Sequence, residues 1–186
     1  MKRSRKPAAT TYATLEAALK RMRELGIQHV VVASTTGRTA LALADVLPPG
    51  VSAVCVTHHA GFTRPGKSEL PAATETRLNA LGIPVLRTTH LMAGLDRAIR
   101  LRFGGLGPAE IVANTYRTFG EGTKVCVEIA VMALDAGLIP FGRDIVAIAG
   151  TGSGADTALV IRPAHSRQFL DTWVSEIIVK PDRPKE

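Results

Sequence analysis

The amino-acid sequence predicts an α/β fold of three layers, α/β/α, in which helices cover both faces of a mostly parallel sheet. Short β-branched apolar runs alternate with stretches of helical periodicity, and Gly or Pro marks nearly every junction. At 186 residues the chain has the length of one domain, enough to bury a substantial core. No internal repeat or linker divides it, so residues 1–10 read as a basic tail and residues 11–186 as the domain.

Leu15, Ala18, Leu19, Met22 and Leu25 recur at helical spacing and predict a first helix over 14–25, with Thr10, Thr11 or Thr14 as its cap and Gly26 as its stop. A buried strand follows at 29–33, because its β-branched run lacks polar alternation and ends abruptly in Ser34-Thr35-Thr36-Gly37. Residues 38–47 are helical and are stopped by Pro48-Pro49-Gly50. A second strand at 51–57 leads through a loop to a helix that carries Pro71 in its first turn and ends at Gly82. The third strand is 84–88. Helices are expected at 94–103, 108–118 and 124–136, a fourth strand at 145–149, and further strands at 157–161 and 175–179. In such a fold the carboxyl ends of the strands and the amino ends of the helices share one rim, where ligands bind.

Composition narrows the function classes. Hydrophobic residues make up 46% of the chain, yet no apolar run approaches the roughly 20 residues of a membrane helix. The basic start lacks an apolar h-region, so no secretory signal is expected. Cys55 and Cys126 both lie in apolar segments, which fits a reducing cytoplasmic setting. The net charge of +7, with Arg97, Arg100 and Arg102 close together, invites a nucleic-acid reading. Eight aromatic residues and no recognised module speak against it, and solvated helix faces account for most of the charge. A phosphorylated small molecule is the expected partner. Self-association is also expected, since the apolar segment 125–134 packs either internally or against a copy of itself.

Four polar or Gly-rich segments fall on the ligand rim. Ser34, Thr35, Thr36, Gly37 and Thr39 couple a strand end to a helix start, with more hydroxyls than a helix cap needs, and supply the parts of a phosphate cradle. Thr57 and His58 end the second strand, and a rim histidine is a candidate for acid/base work near neutral pH. Thr123, Lys124 and Glu128 stand near a helix start, where Lys124 and Glu128, one turn apart, form either a ligand site or a surface ion pair. Gly150, Thr151, Gly152, Asp156 and Thr157 follow the fourth strand. Their glycines alternate instead of forming the dinucleotide fingerprint, and read either as a tight hairpin or as a backbone wall for a flat ring or ribose. Gly61-Phe62-Thr63-Arg64-Pro65-Gly66-Lys67-Ser68 matches the P-loop pattern, but Pro71 interrupts the helix that a P-loop requires and no apolar strand ends in Asp. It reads as an ordinary loop. No paired Cys or His spacing suggests a metal site.

The run from Val31-Val32-Ala33-Ser34-Thr35-Thr36-Gly37-Arg38-Thr39-Ala40 onward resembles the C-terminal α/β domain of pyruvate kinase. With Val56-Thr57-His58-His59-Ala60-Gly61-Phe62, Lys124-Val125-Cys126-Val127-Glu128-Ile129, Gly154-Ala155-Asp156-Thr157-Ala158 and Val160-Ile161-Arg162-Pro163-Ala164-His165, the whole chain is similar to a stand-alone prokaryotic and archaeal family related to that domain. The resemblance implies a five-stranded sheet in order 3-2-1-4-5 with its last strand antiparallel. It also implies a bound flavin mononucleotide, with phosphate on the Ser/Thr loop and the ribityl chain and ring among Thr57, His58, Lys124, Glu128, Gly152 and Asp156. His58 and Glu128 are the candidates for catalysis. The catalytic barrel of pyruvate kinase has no counterpart in 186 residues, so transfer of phosphate from phosphoenolpyruvate is not expected. Two readings stand at this point: a flavin-dependent enzyme, or a non-catalytic sensor that binds a sugar phosphate or nucleotide.

Overall fold

The computed structural model describes residues 9–182, so residues 1–8 of the expected tail lie outside the described residues. Ala9 and Thr10 already belong to the first helix, α1 (Ala9–Leu25). It is followed by β1 (His29–Ala33), α2 (Arg38–Ala44), β2 (Ser52–Thr57), α3 (Ala72–Ala80) and β3 (Val85–Arg87). Then come α4 (Gly94–Phe103), α5 (Pro108–Arg117), α6 (Glu121–Asp135), β4 (Ile145–Ala149), β5 (Thr157–Arg162), a 3-10 turn over Ser166–Asp171 and β6 (Trp173–Val179).

The six strands form one sheet in the order β3-β2-β1-β4-β5-β6. The expected order holds for the first five strands, and β6 adds a sixth at the β5 edge. β1, β2, β3 and β4 run parallel, whereas β5 runs antiparallel to β4 and β6 antiparallel to β5. The central strands are apolar throughout because each face of the sheet serves its own core. Val30, Val32, Cys55, Val146, Ile148 and Val160 face α1 and α2. Val31, Val54, Val56, Ala147, Leu159 and Ile161 face α6. This alternation is the period of two imposed by the pleat. The segment 125–134 packs internally: from Cys126 to Leu134 every residue of α6 is buried, against the sheet on one side and α5 and the 3-10 turn on the other. Burial drives the Cys55 thiol up to about 12 and the Cys126 thiol upward as well, so both stay protonated at neutral pH.

Helix α1 begins earlier than the sequence suggested because Thr11 and Thr14 are not caps. They are buried and face the loop after β4. Thr11 Oγ1 accepts the Ala155 N–H at 3.1 Å, and Thr14 Oγ1 donates to the Thr10 carbonyl at 2.9 Å and lies 3.3 Å from the Ala155 carbonyl. Two threonines that read as end signals therefore clamp the glycine-rich loop. The helix ends as expected: Gly26 takes φ 66° and the Ile27 N–H closes on the Met22 carbonyl at 2.9 Å.

Gly154 shows how tight this clamp is. A Cβ there would stand 2.4 Å from Thr11 Oγ1, and its φ of +76° is strained for any L side chain. Gly152 has a similar φ of +77° but open space around it. Gly154→Ala is expected to cost more than about 1 kcal/mol in urea unfolding, and more than Gly152→Ala, which bears the backbone strain without the clash.

Candidate functional site

A cleft of about 770 Å³ opens at the carboxyl ends of β1 and β4, between the loop over 34–37 and the loop over 150–156. Of the residues that the sequence singled out, Ser34, Thr35, Thr36, Thr39, His58, Gly150 and Gly152 line it. Arg38, Ser153 and Gly154, which lie within the rim segments 34–39 and 150–157, also line it, as do Glu69, Glu121 and Val125, to which the sequence assigns no place in the site. Glu69 directly follows the P-loop-like stretch. That stretch is a turn-rich loop closed by the Gly61 N–H on the Lys67 carbonyl at 2.9 Å, and no helix begins before Ala72.

The floor of the cleft is built by internal bonds. Ser34 is buried, and its Oγ accepts the N–H groups of Thr39 at 3.2 Å and Ala40 at 3.3 Å, so it caps α2 from the end of β1. Gly37 takes φ +81°, and a Cβ there would fall 2.8 Å from Leu70 Cδ1 and 2.3 Å from Thr74 Cγ2. Its glycine is required for packing against the segment before α3. Thr57 Oγ1 donates to the Thr35 carbonyl at 3.0 Å, tying the β1 and β2 ends together. Across the cleft, Asp156 accepts the Thr151 N–H at 3.0 Å and the Thr157 hydroxyl at 2.8 Å. Thr157 Oγ1 also lies where a Cβ on Gly122 would sit, which fixes the start of α6 against β5. Gly37, Thr57, Thr151, Asp156 and Thr157 thus shape the walls from behind.

Thr123, Lys124 and Glu128 form a separate buried layer. Thr123 Oγ1 donates to the Phe119 carbonyl at 3.2 Å. Lys124 Nζ meets Glu128 Oε2 at 2.5 Å, both side chains being about 5% exposed (6% and 5%). Glu128 Oε1 accepts the Met92 N–H at 2.7 Å. The ion pair that the sequence placed at the surface is formed, but it is buried. Its neighbour is a ring cluster: His58 packs on Phe62 with centroids 3.9 Å apart, and His90 lies within 5.5 Å of His58, His59 and Phe62. Burial brings His90 down to about 4, with His58, Lys124 and His59 adding to the effect and Glu128 opposing it. Among the described residues no three of His, Cys, Asp or Glu are placed to hold a metal ion.

The charges at the cleft are largely matched in place. Glu121 accepts from Arg117 Nε at 2.6 Å, and Glu69 meets His58 Nδ1 at 2.7 Å. Arg38, exposed at the start of α2, donates from Nε to Thr36 Oγ1 at 3.2 Å. It is the only Lys or Arg among the described lining residues. The cleft therefore offers hydroxyls, one guanidinium and glycine backbone, a donor set suited to a small polar ligand with an anionic group.

The fold is that of an α/β domain with a cleft at its rim, and comparison with known proteins gives it a family. A family model described as the pyruvate kinase alpha/beta domain matches residues 12–161, and the chain belongs to that family. Among solved structures it is similar to a pyruvate kinase from Cryptosporidium parvum at 16% identity and a TM-score of 0.45, over 85% of this chain and 23% of that one. A Cryptosporidium parvum pyruvate kinase in complex with ADP is similar at 15% identity and a TM-score of 0.42, over 95% of this chain and 25% of that one. The chain thus spans about a quarter of the length of those enzymes. Among the described residues no helix is long and apolar enough to cross a membrane.

Two predictions test this layer. Lys124→Met leaves the Glu128 carboxylate buried without its cation and is expected to cost about 3–5 kcal/mol in denaturant unfolding. His90, with its folded value near 4 below the ordinary 6.5, stays neutral where the unfolded chain already binds a proton. Acidification from about 6.5 towards 4 therefore removes stability. His90→Gln is expected to flatten that part of the stability profile by about 1–2 kcal/mol, allowing for screening by the solvent that still reaches the ring.

Proposed function

We propose that the cleft holds flavin mononucleotide, with its phosphate on the hydroxyl loop and its ring along the glycine loop. The observation that carries the reading is the pairing of two unlike walls across one opening: Thr35, Thr36 and Arg38 on one side, Gly150, Gly152 and Gly154 on the other. A phosphate needs several short donors and a positive field, which the first wall supplies. A flat ring needs a surface free of side chains, and a Cβ on Gly152 would project into open space. The volume of about 770 Å³ falls within the roughly 300–1,000 Å³ of small-molecule sites.

When bound, the flavin would supply electron transfer. The protein's own residues would orient it. Ser34 holds the amino end of α2 in place, Asp156 holds the glycine loop, and Glu69 holds the His58 ring beside the ligand. The phosphate would lie at the Arg38 end, because Glu69 and Glu121 line the rest of the cleft and repel an anion.

The test is a visible absorption spectrum of the purified protein, followed by titration of stripped protein with flavin mononucleotide and, separately, with riboflavin. Saturable quenching of flavin fluorescence is expected, with riboflavin weaker because it lacks the phosphate. Arg38→Met is expected to weaken the phosphorylated ligand by roughly 1–2 kcal/mol and to leave riboflavin unchanged. A colourless protein that leaves flavin fluorescence unaltered would overturn the reading and move the ligand to a sugar phosphate in the same cleft.

A further inference from the structure

Three side chains from three separate segments meet on one wall of the cleft. Thr35 follows β1, His58 follows β2 and Glu69 precedes α3, and all three line the opening. Glu69 Oε2 lies 2.7 Å from His58 Nδ1, and His58 Nε2 lies 3.4 Å from Thr35 Oγ1. A carboxylate only accepts, so in the neutral ring the proton sits on Nδ1 and Nε2 is left to accept from the threonine hydroxyl. This is the order of hydroxyl, imidazole and carboxylate that activates a nucleophile, with the hydroxyl contact somewhat long, as is common before substrate binds.

The parts are held firmly. Phe62 packs on the His58 ring at 3.9 Å between centroids, and Thr57 pins the Thr35 carbonyl. Glu69 sits between Ser68, whose Oγ accepts the Leu70 N–H at 3.2 Å, and Leu70, which is buried. Leu70 fills the space that a side chain at position 37 would need, so the Glu69 segment and the Thr35 loop are packed directly on each other. Nothing in the fold requires a hydroxyl, an imidazole and a carboxylate in series at that wall. Packing and loop closure are served by Leu70, Gly37 and Thr57.

We infer that Thr35, His58 and Glu69 form a nucleophilic acyl-transfer site that hydrolyses carboxylic esters of small alcohols. Thr35 Oγ1 bonds to the acyl carbon as its proton passes to His58 Nε2. The imidazolium, held on the Glu69 carboxylate, returns that proton to the departing alkoxide as the ester C–O bond breaks. Water then gives a proton to Nε2 and its oxygen attacks the acyl-threonine. The carboxylic acid leaves and the proton goes back to Thr35. Glu69 acts through His58 as a positioning residue. A phosphoryl group in transfer calls for several cations on its oxygens. Arg38 alone among the described lining residues supplies one, and Glu69 and Glu121 add negative charge, so the charge balance favours acyl chemistry.

This inference does not rest on the flavin reading, and its test uses no flavin. The full-length protein and its Thr35→Ser variant are treated with a neutral fluorophosphonate probe, and the modified residue is located by peptide mass spectrometry. Labelling at position 35 is expected in one or both. On protein with unchanged circular dichroism, His58→Gln is expected to slow it at least about 100-fold and Glu69→Gln to slow it by a smaller factor. His59→Gln, whose ring bonds the Ala60 carbonyl, is expected to leave the rate unaltered. No label at position 35 in either protein, or a labelling rate indifferent to His58→Gln, overturns the proposal.

Discussion

The cleft exists because β1 and β4 are hydrogen-bonded neighbours although the chain from α2 to α6 lies between them. Val30, Val31 and Val32 pair with Val146, Ala147 and Ile148, all of them buried, so this seam runs through the middle of both cores. From it the chain departs in opposite ways. After β1 it turns into α2 over one face of the sheet, and after β4 it turns back into the antiparallel strand β5. Two loops that leave adjacent strands in different directions cannot close over the rim, and the space between them is the site.

Each loop is then fixed from behind by bonds within the protein. Ser34 caps α2, Thr57 ties the Thr35 carbonyl, and Gly37 admits Leu70 and Thr74. On the other side Thr11, Thr14 and Asp156 hold the glycine loop in place. Most buried polar side chains of the rim are satisfied within the protein, which keeps the cost of burying them low. What remains turned to the cleft is chemically distinct from what supports it: Thr36 with Arg38, the bare glycine backbone, and the Thr35–His58–Glu69 series. Such a division lets ligand chemistry change at the surface without loosening the frame.

The fold was legible in the sequence because its signals are local. Strand ends, Gly and Pro stops and the 3.6-residue period placed every α-helix and strand to within about five residues but gave no sign of the 3-10 turn over Ser166–Asp171, while the strand order came from resemblance to a known domain. The largest error, at the start of α1, has a tertiary cause: Thr11 and Thr14 bond to Ala155, a contact that no local rule reveals. The site was legible only as a set of loops. Sequence reasoning chose Lys124, Glu128, Asp156 and Thr157 for the rim by position, and the structure places all four in buried bonds that support it. Glu69 was not legible because its significance depends on which loops pack together, and that is decided by Gly37 against Leu70. The alternating glycines after β4 served two purposes at once, Gly154 meeting Thr11 and Gly152 facing open space.

The central claim is that a phosphorylated ring ligand spans the cleft from the hydroxyl loop to the glycine loop. Amide chemical-shift mapping of the isotopically labelled protein with flavin mononucleotide tests it most directly. The account predicts that the largest saturable shifts fall on Thr35, Thr36, Arg38, Gly152 and Ser153, with those of Phe141 and His165 at the far end of the sheet unmoved. Shifts that leave either loop untouched, or that centre on the far end, would contradict it.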